Sequence, residues 1–295
     1  MTIIALAAAA YAEPGRGLET GYGEYDYSDA ASGKKVRVYY YKPSRYTPDS
    51  PVFFALHGDN RTAFAYRLEW KEFAEKLGFM LLVPHFSEEA FPGSNGFQFG
   101  GVVGEGRTAD GKLNVNAEET WVFSLVERMF SDFGKREETR RERYTIYGHS
   151  AGAQFVHRMA LFQKSSRIEF AIAANAGWYI MPDLSVEWPF GPRGLGDVVR
   201  AENIDSFLSF PLVLALGDAD LYDDHRLNTS VEAMLQGPNR FERGNRYFEY
   251  CRKLAEARGI NFGWTKILVP GVGHSDAGMA KALSEYLATR WNIRK

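Results

Sequence analysis

Residues 144–162, YTIYGHSAGAQFVHRMALF, hold a serine between two glycines at G-x-S-x-G spacing. A serine so placed can attack a carbonyl if a strand delivers it and a helix leaves from it. On such a sharp turn the serine backbone is strained, and the residues two before and two after it must be small. Gly148 and Gly152 meet that demand. The following helix would aim its first N–H groups at Ser150, where they stabilise a developing oxyanion. The pentapeptide alone is weak evidence, because composition gives about 0.2 chance matches in a chain of this size. The alternative is a core strand-turn-helix with an incidental serine. The strand RYTIY before it and the helix AQFVHRMALF after it supply the context the nucleophile needs.

A nucleophilic serine needs a base. Of the six histidines, His57 and His149 sit inside motifs, His157 lies within a helix and His225 in a polar loop. His85 follows a strand but precedes the nucleophile. His274 follows the strand TKILV and a Gly-Val-Gly turn, at the strand-end edge where open α/β sheets bind ligands. The base needs an acid to fix its tautomer. After PLVLAL comes GDADLYDD, in which Asp220 is the chosen acid, with Asp218 and Asp223 as alternatives. With Asp224 beside them, these acids also fit a solvated turn or a loose cation site. For the oxyanion, the N–H of Ala151 pairs with that of Asp59, where Gly58 permits a close backbone approach; a simple strand-ending turn is the alternative. Trp178, Tyr179, Trp188 and Phe190, with Phe97 and Phe99, are candidate substrate-binding aromatics, and equally fit local packing clusters. His149 has no assigned role.

These residues require a scaffold of alternating strands and helices. Tyr22–Tyr27 and Lys35–Tyr41 read as an N-terminal hairpin. Val52–Leu56 (VFFAL) and Phe79–Val83 read as strands buried on both faces. Between them, residues 64–77 have helical spacing and stop at Gly78. A Gly-rich, aromatic loop over 91–116 leads to Asn116, a cap with Glu119 as its capping-box partner for a helix over 117–131. Strands follow at Tyr144–Tyr147, Ile168–Ala174, Leu212–Leu216 and Thr265–Val269, with helices over 151–163, 241–258 and 276–290. Short connections make this a doubly wound, mostly parallel sheet. The aromatic, Pro- and Gly-rich segment 177–210 breaks the pattern and reads as an insertion over the strand ends.

Composition excludes several classes. With 35 basic and 37 acidic residues, 45% hydrophobic and 24% charged, the chain carries no global field for nucleic acid or anionic membranes. The runs KREETRRER and RFERGNR mix both signs and read as solvated surface. A single cysteine, Cys251, excludes an intramolecular disulfide and a cysteine zinc site. Neither a metal nor a cofactor is called for. Residues 1–12 end in Ala10-Tyr11-Ala12 and read as a secretory leader without its basic start; an Ala-rich tail is the alternative. The leader reading implies export to the periplasm or medium, the other leaves a cytoplasmic protein. Residues 13–295 read as one domain, and no segment has the roughly 20 apolar residues of a membrane span.

The segments VFFALHGDN, YTIYGHSAG, LALGDADLYDD and PGVGHSD, in that order, resemble the α/β-hydrolase superfamily over nearly all of residues 20–290. The order Ser150, Asp220, His274 is the order of that fold and not of chymotrypsin or subtilisin. More narrowly, ALHGDNRTAFAYRLEW and GHSAGAQFVHRM look like bacterial serine hydrolases grouped with poly(3-hydroxybutyrate) depolymerases and secreted esterases. The resemblance implies an eight-stranded core sheet, a Ser-His-Asp triad and metal-free hydrolysis of carboxylic esters. The chain departs from many secreted members in lacking disulfides, and Asp59 stands where the oxyanion loop is often apolar. The expected substrate is a small-molecule or polymeric ester. A polyester depolymerase or a peptidase with the same triad is the near rival, and a non-catalytic binding protein of the same fold the distant one.

Overall fold

Side chains alternate across the strands so that each strand feeds two cores. In β4 (Val52–Leu56), Val52, Phe54 and Leu56 enter one apolar cluster while Phe53 and Ala55 enter the other. The structure, a computed structural model, describes residues 10–11, 17–163, 166–222 and 225–293. It begins with β1 (Ala10–Tyr11), β2 (Gly21–Ser28) and β3 (Lys35–Lys42), and β4 leads into α1 (Ala63–Leu77) and β5 (Met80–His85). A short α2 (Gly93–Gly96) and the strands β6 (Val103–Arg107) and β7 (Leu113–Val115) precede α3 (Val122–Glu137). Then come β8 (Tyr144–His149), α4 (Ala151–Phe162), β9 (Ile168–Ala174), α5 (Ala201–Ser209) and β10 (Leu212–Gly217). The chain closes with α6 (Val231–Gln236), α7 (Arg240–Ala257), β11 (Thr265–Val269) and α8 (Asp276–Arg290).

The main sheet runs in the order β1-β2-β3-β5-β4-β8-β9-β10-β11. From β5 to β11 all neighbours are parallel, and β3 pairs antiparallel with β2 and β5. This is the mostly parallel α/β sheet expected, eight strands with the two-residue β1 added at one edge. Helices α1 and α8 cover the face holding Phe53, while α3, α4, α5 and α7 cover the face holding Phe54. Both phenylalanines are fully buried, and truncating either to alanine would cost about 3–5 kcal/mol. The sheet matters for function because β4, β8, β9, β10 and β11 all end on one edge, and every candidate chemical residue follows one of those ends.

Several expectations need correction. Residues 91–116 are not one long loop: α2 and the β6–β7 hairpin give the segment its own hydrogen bonds. Asn116 caps no helix. Its amide donates to the Gly101 carbonyl at 2.8 Å, and its own carbonyl accepts from the Trp121 indole at 2.9 Å. The helix starts later, at Val122, after a single 3₁₀ turn over Glu118–Thr120. Burial of Trp121 against Phe162 overrides the local capping signal. The irregular insertion ends near residue 200, because α5 completes the β9-to-β10 crossover. The amphipathic α6 was not anticipated. Of the leader reading, only Ala10 and Tyr11 are described, where they pair with Gly23 and Glu24; the rest lies outside the described residues. Among those, no helix is long and apolar enough to cross a membrane.

Candidate active site

The turn at the end of β8 builds the centre of the site. Ser150 has φ 56° and ψ −113°, a conformation an L-residue holds only when its surroundings enforce it. Two glycines make the enforcement sterically feasible. A Cβ on Gly148 would lie 2.2 Å from the Gly152 carbonyl carbon, and one on Gly152 would lie 2.4 Å from the Leu56 carbonyl oxygen. Strand β4, the elbow and α4 thus meet backbone to backbone. Gly148→Ala is expected to cost about 2–3 kcal/mol of stability and about 10² in turnover, since displacement of a reacting atom by an ångström costs that much. Thermal unfolding and initial rates on the same preparation check both.

Three side chains from three strand ends converge there. His274 Nε2 lies 3.0 Å from Ser150 Oγ, and its Nδ1 lies 2.8 Å from Asp220 Oδ2. Asp220 is buried, and Arg240 approaches its other oxygen at 3.6 Å. Asp218 is turned elsewhere, accepting the Gly271 N–H at 2.7 Å to brace the turn before His274. Asp223 and Asp224 lie outside the described residues. Close approach of the loops bearing Asp220 and His274 needs Gly217, where a Cβ would fall 2.2 Å from the Val272 carbonyl oxygen.

The turn after β4 lies against Ser150. A Cβ on Gly58 would be 3.6 Å from Ser150 Cβ, which sets the following residue, Asp59, at the rim. The Asp59 carboxylate is exposed and accepts from Gln98 Nε2 at 3.2 Å. His57 locks this turn. Its Nδ1–H donates to the Gly58 carbonyl at 2.9 Å and its Nε2 accepts the Phe86 N–H at 3.1 Å, which requires a neutral ring. Complete burial drives its pKa down to about 3. Arg61 ties the same turn to the Phe86 and Gly93 carbonyls at 2.7 and 3.0 Å.

Four positioning residues escaped the sequence reading. Asn175, at the end of β9 with φ 50°, accepts the Gly217 N–H at 2.8 Å and donates to the Gly273 carbonyl at 3.0 Å. It thereby joins the acid strand to the histidine loop; an asparagine closing an apolar strand is the one signal that pointed to it. Arg243 on α7 donates to the carbonyls of Gly177, Asn228 and Gly237 at 2.7 to 2.8 Å. Tyr66 on α1 stands 3.3 Å from His149 Nδ1. Beneath the histidine loop, burial and the neighbouring Glu69 push the Asp276 carboxyl well above the usual range.

The aromatics divide into two groups. Phe97 is fully buried, 4.7 Å from the His57 ring, and belongs to the core. Tyr179 is also fully buried, stacked 4.3 Å from Tyr247, so its ring faces packing partners. Trp188 and Phe190 line a cavity of about 700 Å³ together with Met181, Val186, Leu235 and Tyr247. Trp178 and Phe99 extend this wall: Trp178 lies 4.3 Å from Phe190 and 5.5 Å from Phe99. Arg158, fully buried on α4, supports both rings from below at 4.4 and 4.8 Å. None of the three converging side chains lines this cavity.

No protein-family model and no curated protein matches the chain. Solved structures do. Poly(aspartic acid) hydrolase-1 from Sphingomonas sp. KT-1 is 35% identical, with TM-score 0.85 over 91% of this chain and 98% of that one. A poly(3-hydroxybutyrate) depolymerase from Bordetella parapertussis is 30% identical, with TM-score 0.83 over 94% of this chain and 92% of that one. An S-formylglutathione hydrolase from Agrobacterium tumefaciens, at 16% identity and TM-score 0.57 over 94% and 96%, shares the fold. With a serine on a strained strand-to-helix turn and two close relatives that are hydrolases, the chain belongs to the α/β-hydrolase family of serine hydrolases.

Proposed function

We propose that the protein is a carboxylic ester hydrolase that works through an acyl-enzyme on Ser150. The observation that carries the reading is the hydrogen-bonded line from Ser150 Oγ through His274 to Asp220. His274 takes the serine proton as Oγ attacks the carbonyl, and Asp220 holds the tautomer and stabilises the imidazolium. Arg240, close to the far oxygen of Asp220, keeps that carboxylate oriented. The N–H groups of Ala151, in the first turn of α4, and of Asp59 receive the oxyanion. Water then enters, His274 removes its proton, and the acyl group leaves Ser150. No step requires a metal or cofactor.

A substrate held at Ser150 would extend along the clustered rings of Phe99, Trp178, Phe190 and Trp188 into the 700 Å³ cavity that Trp188 and Phe190 line. That volume is in the range of ligand pockets and suits a long acyl chain or a neighbouring unit of a polymer. A polymeric substrate is the second reading, favoured by the cavity and by two relatives named for polymers, one the polyester poly(3-hydroxybutyrate) and one the amide-linked poly(aspartic acid). Export, as the leader reading of residues 1–12 implies, would bring the enzyme to such a substrate.

A panel of soluble esters of rising acyl length, run beside polyhydroxyalkanoate and peptide substrates, tests the proposal. Soluble esters are expected to be cleaved, with kcat/KM rising with chain length as the cavity fills. Leu235→Trp, which narrows the cavity, is expected to reverse the rise, each lost methylene contact being worth about 0.8 kcal/mol or fourfold. Cleavage of peptides with no ester turnover would contradict it.

A further inference from the structure

The elbow histidine, His149, is left over by the mechanism. It is the last residue of β8, buried, with its ring centroid 4.6 Å from that of His274 and the planes inclined by 38°. The contact places an aromatic face against the ring that becomes positively charged during the reaction. The groups facing the two rings come from every surrounding element. Asp220 and Arg240 approach from the acid loop and α7. Tyr66 approaches from α1, with Tyr147, Glu69 and Asp276 clustered behind it.

Hydrogen bonding sets the orientation of His149. The Tyr66 hydroxyl packs against the turn after β4, 3.3 Å from where a Cβ on Gly58 would lie. It also lies 3.3 Å from His149 Nδ1, within hydrogen-bonding reach of the ring. The other ring nitrogen, Nε2, is buried and makes no hydrogen bond among the described residues. Burial, His274 and Arg240 all oppose a charge on this ring. An uncharged imidazole face within about 6 Å attracts a neighbouring cation, whereas a charged one would repel it.

We propose that His149 is a positioning residue for the base: anchored by Tyr66 to the oxyanion turn, it presents a ring face that holds His274 in line and stabilises its imidazolium. The inference rests on the ester-hydrolase reading above. It also explains why a histidine suits this position, since one side chain meets the Tyr66 hydroxyl and offers a π face.

The test uses Tyr66→Phe as background, because replacing His149 alone would strand the Tyr66 hydroxyl. In that background His149→Leu is expected to lower kcat about three- to tenfold at unchanged KM. With the imidazolium less stabilised, the acid limb of kcat/KM is expected to move to lower pH. His149→Phe, which restores a ring face, is expected to bring kcat and the acid limb back toward the background. His149→Met is the ringless variant if leucine does not fold. Rates are referred to active enzyme counted by fluorophosphonate titration, so that a purely structural loss changes the count and leaves the acid limb in place. Equal kcat and equal acid limbs in the ringless and phenylalanine variants would overturn the inference. Activity surviving in Ser150→Ala would overturn the hydrolase mechanism and this inference together; activity lost there, but indifferent to residue 149, would overturn this inference alone.

Discussion

Ser150→Ala is expected to lower kcat on a soluble ester by about 10⁴-fold or more while leaving the unfolding temperature nearly unchanged. The hydroxyl is the only group lost, and no backbone hydrogen bond depends on it: Ser150 N–H still reaches the Ala174 carbonyl at 3.0 Å, and its carbonyl still accepts from Gln154 at 3.1 Å. His274→Ala is expected to fall to a similar residual rate, and the double variant no further, because groups that act as one unit are not additive. Asp220→Asn should retain the packing yet lose about 10³–10⁴, since an amide supports the wrong tautomer of His274. Additive losses, with the double variant far below each single one, would mean that these side chains do not share a step.

Acid is expected to destabilise the protein steeply between about pH 6.5 and 4, before most carboxylates titrate. His57, His149 and His157 are fully buried and held neutral, each with its pKa driven far down by desolvation. His157 shows the reason most plainly: its Nδ1–H donates to the Ala153 carbonyl at 2.8 Å while its Nε2 accepts the Ile180 N–H at 3.1 Å, so a second ring proton would break the latter bond. A depressed histidine contributes stability that is full above its unfolded value and is lost as pH falls toward its folded value. For His57, falling from 6.5 to about 3, this amounts to about 5 kcal/mol. Asp276 acts in the opposite direction, because its raised pKa makes the folded state bind a proton first on acidification. Three protons against one leave a net slope of about 3 kcal/mol per pH unit, with the half-buried His85 adding a smaller share. Denaturant unfolding at a series of pH values measures it. His157→Gln should reduce the slope by about one proton, and a flat profile from pH 6.5 to 4.5 would contradict the neutral histidines.

How much of this was readable in the sequence depended on the range of the forces involved. Val52–Leu56, Ile168–Ala174 and Thr265–Val269 were delimited correctly, because an apolar run between breakers leaves a strand few other options. Gly78 ends α1 in the left-handed conformation its position suggested. Ser150, Asp220 and His274 each follow a strand in the sequence, and the sheet brings those three strand ends together. What the sequence concealed is contact between distant segments. Arg243 reaches three carbonyls from α7, Asn175 bridges two strand ends, and Tyr66 reaches His149 across the sheet edge. No local periodicity records such partners. The same limit explains Asn116 and Tyr179: one reads locally as a cap and the other as a pocket ring, and packing of Trp121 and Tyr247 decides otherwise.

The central claim is that Ser150 is a nucleophile activated by His274. Fluorophosphonate labelling followed by peptide mapping tests it most directly, since the probe reacts with an activated serine hydroxyl and leaves a covalent mark. Stoichiometric labelling confined to Ser150, abolished in Ser150→Ala and slowed at least about 10³-fold in His274→Ala, is the predicted result. Labelling at another serine, or at Ser150 with the same rate after His274 is removed, would contradict it.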